Sequence, residues 1–297
     1  MRIIVCIKQV VDTSVPFEID FETKTVNWTD GVFHKLNPAD RSCIDRAVQL
    51  KEEQAEGTIT AISIGPACVE RALRECLSLG AETAVRIDDS TFGELDAYGT
   101  ALVLSKAIAD VPHDLVFCGA ASVDTGNASV GPSLAEMLCL PHVSDVVDFE
   151  IAKDRRSLIA DRQLGRGYRE RVQCELPSLL TLLPRNESDL YPSLPMLIRA
   201  LRSPIQTLRG DHLGFTKEQL VGGLNKTRLV KVTPPWPRPK KTFVPDSNLP
   251  PAERLRQLMA GGTSARKVDL LEGNPEELAS KAVEFMRQQK LVPVLRP

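Results

Sequence analysis

Residues 115–132 read Leu115-Val116-Phe117-Cys118-Gly119-Ala120-Ala121-Ser122-Val123-Asp124-Thr125-Gly126-Asn127-Ala128-Ser129-Val130-Gly131-Pro132. The first four residues form an apolar run of strand length. Leu134, Met137 and Leu138, just beyond the stretch, form an apolar helical stripe. A strand, a polar loop and a helix in that order make half of a parallel crossover unit. The loop is built of small, hydroxyl and amide residues, which let backbone N–H groups approach an anion and add neutral donors. It contains neither Gly-x-Gly-x-x-Gly nor Gly-Lys-Ser/Thr, so it is neither a dinucleotide fingerprint nor a Walker loop. From spacing alone, a phosphate-binding loop and an ordinary strand-to-helix loop both stay open.

Upstream, the same alternation repeats. Ile3–Ile7, Ile59–Ile64 and Ala84–Ile87 are strand-like runs. Between them lie helical stripes: Cys43, Ile44, Ala47 and Val48 ahead of the charged Lys51-Glu52-Glu53, then Val69, Ala72, Leu73, Cys76 and Leu77. Ala97, Ala101, Leu104 and Ile108 form another stripe before residue 115. Asn37-Pro38, Gly65-Pro66 and Gly131-Pro132 each place proline at a first helical position, where its fixed φ helps and its missing N–H is not needed. Strands alternating with helices predict a doubly wound parallel α/β sheet, covered on both faces. In such sheets ligands bind at the carboxyl edge, where helix N-termini attract phosphate.

After about residue 143 the pattern changes. Val143–Ile151, Ser157–Ala160, Arg169–Cys174 and Leu179–Leu183 read as strands with no long helix between them. A polar stretch, Pro184–Asp189, leads into a short helix at Ser193–Ala200. Seven prolines between residues 232 and 251 predict an extended segment. Asn274-Pro275-Glu276-Glu277 opens a closing helix whose apolar face is Leu278, Ala282, Phe285 and Met286.

The 297 residues include 42% hydrophobic and 26% charged side chains, enough for a core and too apolar for disorder. A net charge of −2 argues against a nucleic-acid binder with a wholly basic surface. No apolar run reaches the ~18 residues of a membrane span. The Met1–Ile7 opening reads as a first strand rather than a signal peptide, and the expected compartment is the cytoplasm. Seven cysteines without a Cys-x-x-Cys pair predict reduced thiols rather than disulfides or metal ligands. The four histidines lack metal-ligand spacing, and no Ser/His/Asp set or paired acids stand out, so no catalytic residue is assigned. Lys8, at the end of the first strand, is either a site cation or a solvated charge.

In this order, the segments resemble the β subunit of electron transfer flavoproteins. The resemblance is carried by Ile4-Val5-Cys6-Ile7-Lys8-Gln9-Val10-Val11-Asp12, by Leu36-Asn37-Pro38-Ala39-Asp40 and by Ala47-Val48-Gln49-Leu50-Lys51-Glu52. It continues through Ala61-Ile62-Ser63-Ile64-Gly65-Pro66, Leu77-Ser78-Leu79-Gly80-Ala81 and Val123–Pro132 with Leu134-Ala135-Glu136. It covers residues 1 to about 205 and the final helix. The implied fold is of the nucleotide-binding, adenine-nucleotide-hydrolase-like kind, with added antiparallel strands. Residues 1–205 would be the nucleotide domain, with a docking loop near 184–200. Residues 206–297 would be an extended arm and helix on the α subunit.

The resemblance implies a heterodimer that passes electrons between a dehydrogenase or NADH and an acceptor. The α subunit would hold the electron-transferring FAD. This chain's pocket would hold AMP, or a second FAD as in electron-bifurcating members. Its walls would be Cys6, Ile7, Lys8, Asn37, Ser63, Ile64, Cys118, Gly119 and the loop Val123–Gly131. FAD is the preferred ligand and AMP the alternative. Leu194 and Met196 fall where the family docks an acyl-CoA-dehydrogenase-like partner, and Glu170 would pair with the α subunit unless Arg166, Arg169 or Arg171 holds it. Gly126 and Ser129 stand where bifurcating members carry an acid and a glutamine, and Gln9 replaces the usual arginine. A stand-alone adenine-nucleotide-binding or hydrolysing module of the same fold is the other function class.

Overall fold

A computed structural model describes residues 1–14, 18–20, 22, 25–27, 34–54, 56–88, 92, 95–185, 190–216, 223–228, 230, 231, 233, 245, 249–259 and 273–289. The chain forms two compact units, Met1–Pro234 and Pro235–Pro297.

The first unit is built on a nine-stranded sheet. Its strands are β1 (Arg2–Cys6), β6 (Thr58–Ile64), β7 (Thr83–Ile87), β8 (Leu115–Gly119), β9 (His142–Ile151), β10 (Ser157–Gln163), β11 (Arg169–Glu175), β12 (Ser178–Leu182) and β13 (Gln206–Leu208). Their order is β11-β10-β9-β12-β8-β1-β6-β7-β13. Neighbours from β9 to β13 run parallel, and β10 pairs antiparallel with both β9 and β11. Two small antiparallel pairs, β2 (Gln9–Val11) with β5 (His34–Leu36) and β3 (Glu18–Asp20) with β4 (Thr25–Asn27), have no counterpart in the sequence analysis.

Side-chain alternation along β1 explains the two layers. Ile3, Val5 and Ile7 join the core that contains residues of α1 (Pro38–Gln54) and α2 (Glu70–Leu79). Ile4 and Cys6 join the opposite core, with residues of α3 (Ala97–Ala109) and α4 (Val130–Met137). Both faces of the parallel sheet are therefore buried, as its apolar strands require. The doubly wound reading holds. Within the stretch grouped with the arm on sequence alone, β13 pairs with β7, and Leu213, Phe215 and Leu224 are buried.

The chain leaves β1 toward β6 and β7, then returns to place β8 on the other side of β1. That reversal is a topological switch point, and neighbouring crossovers pack on opposite faces there and leave a crevice. The helix α5 (Leu194–Arg202) packs on α2, and Arg74 donates to the carbonyls of Ala200, Leu201 and Ser203 at its C-terminal end. In the second unit, α6 (Pro251–Met259) and α7 (Pro275–Gln288) are amphipathic, with Leu255, Leu258, Met259 and Phe285 exposed. The Pro-rich stretch falls largely outside the described residues.

Candidate functional site

A cavity of about 410 Å³ opens at the carboxyl ends of β1, β6, β7 and β8. Cys6, Ile7 and Lys8 contribute the β1 side, and Ile64, Gly65 and Pro66 the β6 side. The loop after β8, which reaches α4, forms a third wall through Ser122, Thr125 and Asn127–Gly131. Phe92, Leu95 and Leu104 form an apolar wall at α3, with Thr100 beside them.

The β8–α4 loop carries two residues with left-handed backbone, Gly126 (φ 61°) and Ala128 (φ 51°). Among the described residues, none accepts from the backbone N–H groups of Asn127, Ala128 and Ser129. These donors run directly into the first turn of α4, whose own leading N–H groups lack intrahelical partners. Gly131 lets that turn close on β12: a Cβ there would lie 2.3 Å from Thr181 Cγ2. A run of N–H donors at a helix start is suited to a phosphate oxygen.

Lys8 Nζ meets Asp124 Oδ2 at 2.7 Å. Burial works to raise the Asp124 carboxyl, but hydrogen bonds from Lys8, Ser122 and the Thr125 N–H outweigh it and hold the group below its ordinary value. Asp96 caps α3 by accepting from the Gly99 N–H at 2.7 Å. Its other oxygen accepts from the N–H groups of Lys226 (2.9 Å) and Thr227 (2.7 Å) and from the Thr227 hydroxyl (2.8 Å). Burial opposes these bonds, and they still hold the carboxyl at about 2.

At the floor, Asn37 is 1% exposed, with both ends of its amide engaged. It donates to Ala121 O (3.2 Å) and accepts from the Val123 N–H (3.2 Å). Cys6 and Cys118 lie on adjacent strands and both line the cavity. Hydrogen bonding to Cys6, then burial, pushes the Cys118 thiol well above its ordinary value, so it stays neutral. Among the described residues, no group of three His, Cys, Asp or Glu side chains could hold a metal.

The electron transfer flavoprotein domain model matches residues 29–192, more than half of the chain. The chain belongs to the electron transfer flavoprotein family. It is 38% identical to an electron transfer flavoprotein subunit beta of Thermoanaerobacterium thermosaccharolyticum, over 79% of this chain and 88% of that protein. It is 32% identical to the Bacillus subtilis electron transfer flavoprotein subunit beta, over 98% of this chain and all of the relative. It is also 34% identical to the caffeyl-CoA reductase-Etf complex subunit CarD of Acetobacterium woodii, over 76% and 84% of the two chains.

In this family member, most residues singled out as pocket walls gather at the cavity: Cys6, Ile7, Lys8, Asn37, Ile64, Cys118, Gly119, Thr125 and Asn127–Gly131. Four lie outside its lining. Ser63 is one residue out of phase with Ile62 and Ile64, so the pleat turns its side chain to the other face of the sheet. Val123 is half-exposed, Asp124 is turned to Lys8, and the Gly126 N–H bonds back to Ser122 O. Away from the cavity, Leu194 is 69% exposed and Met196 half-buried. Glu170 stands 3.6 Å from Arg162 rather than beside Arg166, Arg169 or Arg171, and Arg171 pairs with Asp161.

Asp40, Phe92, Leu95, Asp96 and Thr100 were missed as lining residues. Asp96 carried a usable signal, an aspartate just before a helical stripe. Asp40 sits in the first turn of α1, where an acid ordinarily complements the helix dipole, so nothing in the sequence separates it from that role.

Proposed function

We propose that this chain is the β subunit of a heterodimeric electron transfer flavoprotein and that the β1–β8 cavity holds an adenine nucleotide, FAD. The observation that carries the reading is the run of N–H groups at Asn127–Ser129, left without acceptors beside the start of α4. They form a neutral cradle for a diphosphate. The cysteine-lined end of β1 and the apolar wall at Phe92 and Leu95 offer surfaces for rings. A bound flavin supplies the redox chemistry, while this chain's residues bind it, orient it and exclude water. AMP is the second reading, favoured by Gly126 and Ser129 where bifurcating members carry an acid and a glutamine.

The α subunit supplies a further FAD and takes up the C-terminal arm. An acyl-CoA-dehydrogenase-like partner docks on the exposed face of α5, around Leu194, Leu197, Ile198 and Leu201. Glu170, half-exposed, faces the α subunit. The compartment is the cytoplasm, in keeping with seven free thiols. No helix among the described residues is long and apolar enough to cross a membrane. Co-expression with an electron transfer flavoprotein α subunit tests the reading. A yellow heterodimer reducible by NADH or by a dehydrogenase is expected. A colourless monomer that hydrolyses ATP would replace this function with the stand-alone nucleotide module.

A further inference from the structure

The geometry points to Asp40 as the positioning residue of the cavity: its carboxylate clamps the separating ends of β1 and β8 and so fixes the shape into which a nucleotide fits. As a statement about ligand binding, this rests on the nucleotide reading above. The β1–β8 ladder runs from Ile3/Leu115 to Val5/Phe117. Beyond it the carboxylate takes one donor from each side, Lys8 N–H on Oδ2 (2.7 Å) and Gly119 N–H on Oδ1 (3.1 Å). Asp40 is 5% exposed, so its carboxylate is held by these protein donors rather than by bulk water.

The same helical turn holds the rest of the floor. The Asn37 N–H donates to Lys8 O at 3.0 Å, and the Asn37 amide grips the loop at Ala121 and Val123. Gly119 is the matching half of the clamp, because a Cβ there would fall 2.1 Å from Asp40 Oδ1. The first turn of α1 thus carries the spacing between β1 and the phosphate loop.

The clamp is sensitive to protonation. Burial pushes the Asp40 carboxyl up to about 7, against the hydrogen bonds from Asn37, Lys8 and Gly119. The charged and titratable groups around it are Lys8 beyond β1, Cys118 of β8, Cys43 of α1 and Cys76 of α2. Burial is the first or second cause that keeps those three thiols neutral, so they do not titrate with it. A protonated carboxyl has one oxygen committed as a donor and can no longer serve both N–H groups well.

The test measures FAD and AMP affinity of the full chain, stripped of nucleotide, from pH 6 to 8.5, beside Asp40→Asn. The variant is nearly isosteric but presents an NH₂ to one backbone N–H, so its melting is recorded beside the wild type's to separate loss of the clamp from loss of the fold. Loss of about tenfold in FAD affinity at pH 8 is expected. Wild-type FAD affinity should fall as pH drops through about 7 and the variant's should not. FAD is the decisive probe because a phosphate monoester such as AMP titrates itself near pH ~6. Wild-type affinity and an unchanged pH profile in Asp40→Asn would overturn the clamp. If the variant does not fold, a flat wild-type profile overturns it. If the wild type binds neither nucleotide, the nucleotide reading fails, and hydrogen exchange of the Lys8 and Gly119 amides judges the clamp. Asp40→Asn should then speed that exchange about tenfold, and unchanged exchange overturns it.

Discussion

Lys8 and Asp124 meet across the mouth of the cavity at 2.7 Å, joining the end of β1 to the loop after β8. Lys8 is the one cationic side chain among the described lining residues, and it is already paired. On the nucleotide reading, an entering phosphate would compete with Asp124 for it. Asp124→Asn should tighten AMP binding by roughly three- to tenfold at low salt, with the gain shrinking as salt rises. Both partners are substantially exposed, so stability should move by only ~0–1 kcal/mol. Isothermal titration checks this, and unchanged affinity would place the phosphate away from Lys8.

Gly131→Ala should hurt both fold and site. The new methyl meets Thr181 Cγ2 at 2.3 Å, so α4 must shift outward from β12. Overpacking of this kind costs about 1–3 kcal/mol. Urea denaturation reads the loss, and nucleotide affinity should fall with it. A variant of wild-type stability would mean that α4 moves without cost.

Asp96 ties the start of α3 to residues 226 and 227. Asp96→Ala should cost ~1 kcal/mol at pH 7 as a lost helix cap. The folded carboxyl sits at about 2, below its ordinary 3.8. Its contribution is therefore present above pH ~4 and lost as pH falls toward ~2. Denaturation curves of the two proteins should converge on acidification. A gap that persists at the lowest pH would assign the cost to packing instead.

Leu194→Ala should leave melting and nucleotide content unchanged, because the side chain is 69% exposed. Electron exchange with an acyl-CoA-dehydrogenase-like partner should slow about tenfold, as expected for an apolar anchor. Stopped-flow kinetics at varied partner concentration measures this, and unchanged rates would remove Leu194 from the docking surface.

The parallel core was legible because its strands are apolar on both faces and its helices carry clean stripes; β1, β6, β7 and β8 came directly from those runs. β2 and β13 are three-residue strands whose pairing depends on partners far along the chain, and such pairs leave no periodic trace. The site was partly legible for the same reason. Strand ends and the small-residue loop fix where a cavity opens. Sequence does not show which side chains support it from behind. Asn37 lines the cavity as read, but nothing in the sequence shows that its amide also holds the loop at Ala121 and Val123. Ser63 was placed on the wrong side of the pleat by one residue, a slip that reverses a strand side chain completely.

The most direct measurement is the adenine-nucleotide content of the proposed heterodimer after purification, released by acid and counted by chromatography. The expected result is two FAD per heterodimer, one of them lost selectively from a Gly131→Ala variant of this chain. One FAD with one AMP would keep the site and change its ligand. One FAD and no second adenine nucleotide would contradict a nucleotide in the β1–β8 cavity.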